Sequence, residues 1–246
     1  MAVWQAFSLN TNRVIVELRM VSGTNSIENK DLWRIPYMAK NYYIADLHLN
    51  HENVIRFDNR PFENVADMNV RLLENWNNRV TEEDTVFIVG DFIWGKEPEW
   101  MNYLPFFKGK KVLIRGNHDP KEFSREVRHL FLDVKDYKEL TDNGKRVILS
   151  HYPMPFHRAA YGENCWMLYG HVHMTREYDL LQKFRKEIKE SCTVKGYAQG
   201  NFINVGCMLP YMEYAPRTLE EIIEGDRKVN ASELCDVRYS RQSEEI

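Results

Sequence analysis

The most constraining feature of the sequence is a recurring pattern, in which a short apolar run ends at residues that can bind a metal ion. Five runs have the length and composition of buried strands. The ligand-type residues that follow them are Asp46 and His48, Asp91, Asn117, His151, and His171 and His173. The pattern predicts that these side chains, far apart along the chain, meet at a common rim.

The first of these runs, Tyr42–Ala45, is followed by Asp46-Leu-His48. In an extended chain residues two apart face the same side, so the carboxylate and the imidazole can reach one ion together. This pair suits divalent manganese, iron, zinc or nickel. Asp91 follows a separate strand and stands alone. It could cap a turn, or it could bridge two cations held about 3.5–4 Å apart.

The stretch Arg115–Asp119 places an amide, an imidazole and a carboxylate in succession after the apolar run at 111–114. Gly116 lets the chain turn sharply before these polar residues. Taken alone, the stretch could be a capped turn that leads into a helix beginning at Pro120. The ligand types at the other strand ends favour metal binding.

Composition indicates a folded protein of ordinary charge. A chain of 246 residues, 43% apolar and 13% aromatic, can bury one sizeable core. The net charge of −3 leaves a nucleic-acid partner unsupported, although a local basic groove stays open. The four cysteines have no Cys-x-x-Cys spacing, and neither a signal peptide nor an apolar run of about 18 residues is present. We therefore expect a cytoplasmic protein with free thiols and no membrane contact.

The chain divides into a main domain with two flanking segments. Residues 1–40 are interpreted as an appendage packed on the main domain, with a candidate strand at 13–18. The main domain covers 41–225, and its charged, weakly periodic segment near 175–200 is interpreted as an insertion on the active-site side. Residues 226–246 are predicted to form a polar tail.

Local patterns predict the other elements. Apolar spacing indicates a helix from Val65 to Trp76, capped by Asn64, and another capped by Thr218. A further helix is expected over 120–130, followed by a strand over 134–139 and a hairpin turn at 142–144.

The ordered series Asp46-x-His48, Gly90-Asp91, Gly116-Asn-His-Asp119, His151 and Gly170-His-x-His173 resembles the calcineurin-like metallophosphoesterase superfamily, over residues 42–206. Within this superfamily, the sequence looks like the small bacterial and phage phosphoesterases. The resemblance implies a four-layer α/β/β/α sandwich with two divalent metal ions, manganese being preferred over iron, zinc, nickel or magnesium. Carried over by position, the ligands are Asp46, His48 and His173 for the first ion, Asn117, His151 and His171 for the second, and Asp91 as the bridge.

The resemblance also implies an activity, the hydrolysis of a phosphate monoester or diester by a hydroxide that bridges the two ions. His118 would stand beside the centre as proton donor or transition-state stabiliser, because histidine can carry a proton near neutral pH. The substrate would be a small phosphate ester or a nucleotide. A nuclease, a cyclic-nucleotide phosphodiesterase and a non-catalytic metal-binding scaffold remain open alternatives.

One position departs from the pattern of the phosphoprotein phosphatases. Those members carry a second aspartate three residues after the bridging one, which orients the catalytic histidine, and this chain has Trp94 there. The departure argues against a Ser/Thr protein phosphatase. It also leaves open how His118 is oriented.

Three further residues near the first ligand pair are candidates for substrate binding: His51, Arg56 and Arg60. An arginine could clamp a phosphate with two hydrogen bonds. It could equally pair with surface acids. The sequence carries no signal for the oligomeric state.

Overall fold

A computed structural model describes residues 38–195 and 200–231, and within them the chain forms two four-stranded sheets with helices. The first sheet has the order β1 (Asn41–Ile44), β2 (Thr85–Ile88), β3 (Lys110–Ile114) and β4 (Asp133–Lys135). The second has the order β5 (Tyr137–Asp142), β6 (Lys145–Ser150), β7 (Cys165–Tyr169) and β8 (Phe202–Asn204). The helices are α1 (Glu52–Phe57), α2 (Val65–Asn77), α3 (Glu97–Tyr103), α4 (Arg125–Arg128), α5 (Arg176–Lys195) and α6 (Leu219–Ala231), with a 3₁₀ turn at Leu104–Phe106.

The first sheet is parallel throughout and is buried on both faces. Its central strands therefore read as continuous apolar runs, with Val86–Ile88 and Val112–Ile114 all inaccessible or nearly so. Each parallel connection needs a crossover, and α2 supplies the one between β1 and β2. The apolar residues of α2 belong to the same core, which confirms the predicted helix.

The second sheet sends alternate side chains to two different cores, because successive residues of a strand point to opposite faces. Val147 and Leu149 join the main core shared with the first sheet. Ile148 and Met167 face the other way and pack with Phe184 of α5. The helices and the two sheets thus form the expected four-layer α/β/β/α sandwich.

The two sheets are joined where β1 and β8 end. Ala45 forms an isolated parallel bridge with Gly206. The amide of Ala45 donates to the carbonyl of Val205 at 2.8 Å, and the amide of Cys207 donates to the carbonyl of Ala45 at 2.9 Å. These bonds bring the end of β1 to the end of β8, so residues that follow strands of different sheets become neighbours.

Capping residues mark the helix ends as the sequence predicts. The Asn64 side chain accepts hydrogen bonds from the amides of Ala66 and Asp67, both at 3.0 Å, and opens α2. Thr218 and Glu221 form a reciprocal capping box that opens α6. The hairpin between β5 and β6 turns at Asn143-Gly144, both with positive φ.

Two predicted elements are wrong in extent. The helix expected over 120–130 is reduced to α4, because Ser124 rather than Pro120 caps it and Phe123 packs against Trp100 instead of continuing a helix. The strand expected over 134–139 is two strands, β4 and β5, that belong to different sheets. The change from one sheet to the other requires only a bend at Asp136. The apolar periodicity of the sequence does not reveal such a bend.

Most of the segment near 175–200, interpreted above as an insertion, is α5, the outer layer over the second sheet. Arg185 of this helix forms a buried bidentate pair with Asp226 of α6, at 2.7 Å for both bonds. The helix α6 continues past the expected domain boundary at 225 and ends at Ala231. The appendage over 1–40, except its last three residues, and the tail beyond 231 lie outside the described residues.

Candidate metal centre

The ligand-type residues lie just beyond the carboxyl ends of β1, β2, β3, β6 and β7. In each sheet these strands are parallel, so their carboxyl ends share one edge. The joined edges of the two sheets then bring both sets together. Ligand sites of parallel sheets ordinarily form at this edge.

The backbone at this edge is unusual, because ligand-type residues adopt the left-handed conformation that favours glycine. They are Asp46, His48, Asp91, His171 and His173, with φ between +47° and +73°. Each such residue costs on the order of 1 kcal/mol or more, and such residues concentrate at functional sites. Main-chain hydrogen bonds hold the strained loops, including 3.0 Å bonds from the amide of Asp46 to Gly90 and from that of His48 to Asp91.

The first group of ligands comprises Asp46, His48 and His173, whose ligand atoms all lie within 4.8 Å of one another. The Nε2 atoms of His48 and His173 are 3.2 Å apart, and the Nε2 atom of His173 lies 3.9 Å from Asp46 Oδ1. Asp46 and His48 are buried. This group is a compact pocket of one carboxylate and two imidazoles.

The second group comprises Asn117, His151 and His171. The amide oxygen of Asn117 lies 3.0 Å from His151 Nε2 and 2.9 Å from His171 Nδ1. His151 is buried, whereas Asn117 and His171 are exposed. This group is therefore more open to solvent than the first.

Asp91 lies between the two groups. Its Oδ2 atom is 3.6 Å from His48 Nε2 and 3.4 Å from His151 Nε2. Its Oδ1 atom accepts the main-chain amide of His118 at 2.9 Å. One carboxylate oxygen thus faces a ligand of each group, as a bridging ligand must.

The spacing of these atoms fits bound cations. Ligand atoms about 2.1 Å from one ion lie roughly 3.0–3.4 Å apart in octahedral or tetrahedral coordination. The short contacts within each group fall near that range. A neutral imidazole, a carboxylate and an amide oxygen together form a donor set that divalent transition metals accept. The residues present therefore fit divalent metal ions.

Residues around the ligands fix the direction in which each imidazole points. His151 Nδ1 contacts the carbonyl of Val89 at 2.9 Å, and His173 Nδ1 contacts Asp58 Oδ1 at 2.8 Å. A histidine whose other ring nitrogen is bonded in this way presents Nε2 to the metal. Asp119 is buried and accepts the amides of Asp91 and Gly116. Asp119 therefore supports the turn rather than facing the site.

Two glycines are required by close packing at the site. A Cβ atom at Gly116 would lie 2.1 Å from Asp91 Oδ1, and one at Gly90 would lie 2.2 Å from His151 Nδ1. Gly90 also has a φ of +89°. A side chain at either position would displace a candidate ligand.

The electrostatics of the site suit added positive charge. Burial raises the pKa of Asp46, and the nearby charge of Asp91 acts in the same direction. Burial also disfavours the charged form of Asp91, but the hydrogen bond and charge of His151 outweigh it and lower the pKa of Asp91 to about 2. Burial lowers the pKa of His48 to about 2, so this imidazole is neutral, as a ligand must be.

His118 stands at the exposed edge of the site. Its ring centroid lies 5.6 Å from that of His48 and 4.8 Å from that of Trp94. Trp94, which replaces the aspartate of the phosphoprotein phosphatases, therefore packs beside His118. The ring of His51 also packs against Trp94, with its centroid 4.1 Å from that of Trp94.

The candidate substrate residues are placed differently from one another. Arg60 is buried, and its guanidinium donates to Asp58 and to the carbonyls of Asp46 and Leu47. This placement supports a structural role for Arg60 next to the first ligand group. It argues against a role in binding the phosphate of a substrate. Arg56 is exposed and donates to Asn53, while His51 caps α1.

Sequence reasoning missed Asp58, which holds both His173 and Arg60. It lies in an irregular link and belongs to no motif. The only available signal was general, namely that a ligand histidine usually has a carboxylate or carbonyl partner. That rule cannot select one acid among 36 acidic residues.

None of the helices in the described ranges is long and apolar enough to cross a bilayer.

The chain is similar to several known proteins. The chain is 37% identical over 164 residues to the uncharacterized protein MJ1445 of Methanocaldococcus jannaschii, an alignment covering 65% of this chain and 85% of that protein. It is 30% identical over 161 residues to the Gene 66 protein of Mycobacterium phage D29, covering 55% of this chain and 79% of that protein. The crystal structure of the protein of unknown function AQ665 from Aquifex aeolicus superposes with a TM-score of 0.55 at 28% identity, covering 76% of this chain and 99% of that one.

The sequence profile of the calcineurin-like phosphoesterase superfamily domain matches residues 40–219, which include every candidate ligand. Given this match and the geometry of its strand ends, the chain belongs to the calcineurin-like phosphoesterase superfamily.

Proposed function

We propose that this protein hydrolyses a phosphate monoester or diester at a dinuclear metal centre, with His118 as the catalytic acid. The observation that carries the proposal is the position of Asp91, one oxygen of which faces ligands of both groups. Asp46, His48 and His173 would hold one ion, and Asn117, His151 and His171 the other. Manganese is the preferred metal, and the cytoplasm is the expected location.

Bound divalent ions would offset the negative charge of the phosphoryl oxygens and make a coordinated water easier to deprotonate. The chain itself supplies the remaining functions. The Asp91 carboxylate fixes the main chain of His118 through the 2.9 Å bond to its amide. His118 is exposed at the mouth of the site, where it can give a proton to the oxygen that leaves phosphorus.

The test compares leaving groups with different needs for a proton. An alkyl phosphate ester needs an acid to protonate the departing oxygen, whereas p-nitrophenolate departs without one. We expect His118→Ala to slow hydrolysis of the alkyl ester by roughly 10²–10⁴-fold and that of the p-nitrophenyl ester much less. The control is His129→Ala, since His129 is exposed at the end of α4 and has no place in the site.

Assays with added manganese would cover p-nitrophenyl phosphate, bis-p-nitrophenyl phosphate, 2′,3′-cyclic nucleotides and short oligonucleotides. Equal losses for both leaving groups would contradict the acid role of His118 and favour transition-state stabilisation. Metal binding without hydrolysis of any ester would favour the non-catalytic scaffold. Preferential cleavage of oligonucleotides would identify a nuclease.

A further inference from the structure

We infer that Trp94 is a specificity residue that stacks on a nucleobase in the leaving group of the substrate. The inference rests on the proposed function, because it concerns the same site. Trp94 is 40% exposed although it is a large aromatic residue. Its ring lies beside His118, at a centroid distance of 4.8 Å.

The position of Trp94 is held firmly. The residue before it, Ile93, forms a bridge with Leu49, and the amide of Trp94 donates to the carbonyl of Leu49 at 2.8 Å. The ring of His51 packs against Trp94 in an edge arrangement. The indole is therefore a preorganised surface, which reduces the entropy that a stacked ligand must overcome.

The position of Trp94 beside His118 indicates which part of a substrate Trp94 would contact. His118 is the proposed proton donor, so the oxygen that it protonates belongs to the leaving group. An exposed residue that packs beside His118 can contact whatever that oxygen carries. Trp94 is such a residue, and a planar ring is the chemical group that stacks best on an indole.

A shallow surface depression of about 590 Å³ lies beside Trp94, and none of the candidate metal ligands lines it. Its lining includes Asn50, Lys96 and Glu99, with Asn50 donating to Glu99 at 2.8 Å. Donors and acceptors next to an aromatic surface suit a nucleobase, which has a π face and a polar edge. A sugar phosphate or an alkyl ester has no π face that could stack on the indole.

The test uses substrates that differ only in the base. Thymidine 5′-monophosphate is compared with 2-deoxyribose 5-phosphate, and thymidylyl-thymidine with its analogue that lacks the base on the leaving nucleoside. The first pair represents free nucleotides and the second represents oligonucleotides. Each is assayed with manganese, and binding of the two monoesters is measured by calorimetry with His118→Ala, which keeps every candidate metal ligand and limits turnover during the titration.

We expect Trp94→Leu to lower kcat/KM by about 10-fold for the base-containing member of the preferred pair and to leave the base-free member nearly unchanged. Trp94→Phe should restore most of the loss. Phe106→Leu is the control, because Phe106 is a 62% exposed aromatic near the amino end of β3, opposite the ligand edge.

Equal losses on both members of a pair, or no loss on either, would overturn the inference and leave the proposed function standing. If no ester is hydrolysed, the proposed function fails, and the calorimetry still decides. In that case a preference for thymidine monophosphate over deoxyribose phosphate that disappears in Trp94→Leu, made on the same background, supports the stacking role. The absence of any such preference refutes it.

Discussion

The two ligand groups of the candidate centre differ in burial, in charge and in what supports them. The first group has Asp46 in addition to the shared Asp91, and its His173 is held by the Asp58 carboxylate. The second shares Asp91, completes its set with the neutral amide of Asn117, and holds His151 through a main-chain carbonyl. The affinity of an oxygen and nitrogen site rises with the number of its charged ligands and with its rigidity.

This difference indicates that ions bound in the two groups would not be equivalent. An ion in the first group would be more enclosed and would neutralise more negative charge. An ion in the second would lie next to exposed side chains, where it exchanges with solvent more readily. The comparison predicts a tight and a weak site that share Asp91.

The largest effect is expected from removing the charge that both groups share. Asp91→Asn should abolish tight binding in both groups and lower hydrolysis by about 10³-fold or more, because the charge stabilisation supplied by metal ions amounts to several kcal/mol. Metal content by mass spectrometry and the rate with saturating manganese test this. Asp136→Asn is a matched control, since Asp136 is exposed and, among the residues that the structure describes, forms its ion pair with Arg115. Two tightly bound ions in Asp91→Asn would show that Asp91 is not a bridge.

A smaller effect is expected from the carboxylate that distinguishes the first group. Asp58→Asn should weaken the tighter ion by about 10–100-fold and leave the weaker one nearly unchanged, because loss of a partner that orients a ligand histidine has this magnitude. Calorimetric titration of chelator-treated protein measures both affinities. The variant also deprives the buried Arg60 of its carboxylate, so thermal unfolding of the metal-free protein is measured in parallel. A change confined to the weaker ion would reverse the assignment of the two groups.

The smallest effect is the difference between the two affinities in the unaltered protein. We expect two binding events separated by about 10-fold or more, because the second group includes a neutral amide and is more exposed than the first. Asn117→Ala should remove only the weaker event and so assign it. Thermal unfolding should shift upward with each event, since an ion that binds only the folded chain stabilises it. A single event of two ions would show that the groups are equivalent.

The candidate ligands could be identified from the sequence, because each one follows a short apolar run that neighbouring residues alone define. Asp46 and His48 are two residues apart on a chain that leaves a strand, and their type alone indicates a metal. Sequence reasoning succeeded for α2 and α6 as well, where a capping residue and helical spacing coincide. It was wrong for 120–130 and 134–139, where a single bend decides the outcome.

The sequence by itself determined the chemical types and order of the candidate ligands, because residue type is a local property, and the four-layer class followed from the family that this ordered series resembles. Only the tertiary structure decided how Asp91 lies between two groups, that Asp58 and Arg60 support one of them, and that Trp94 packs beside His118. Those contacts join residues from different loops. Their geometry depends on how the two sheets meet at Ala45 and Gly206, which no single stretch of the chain encodes.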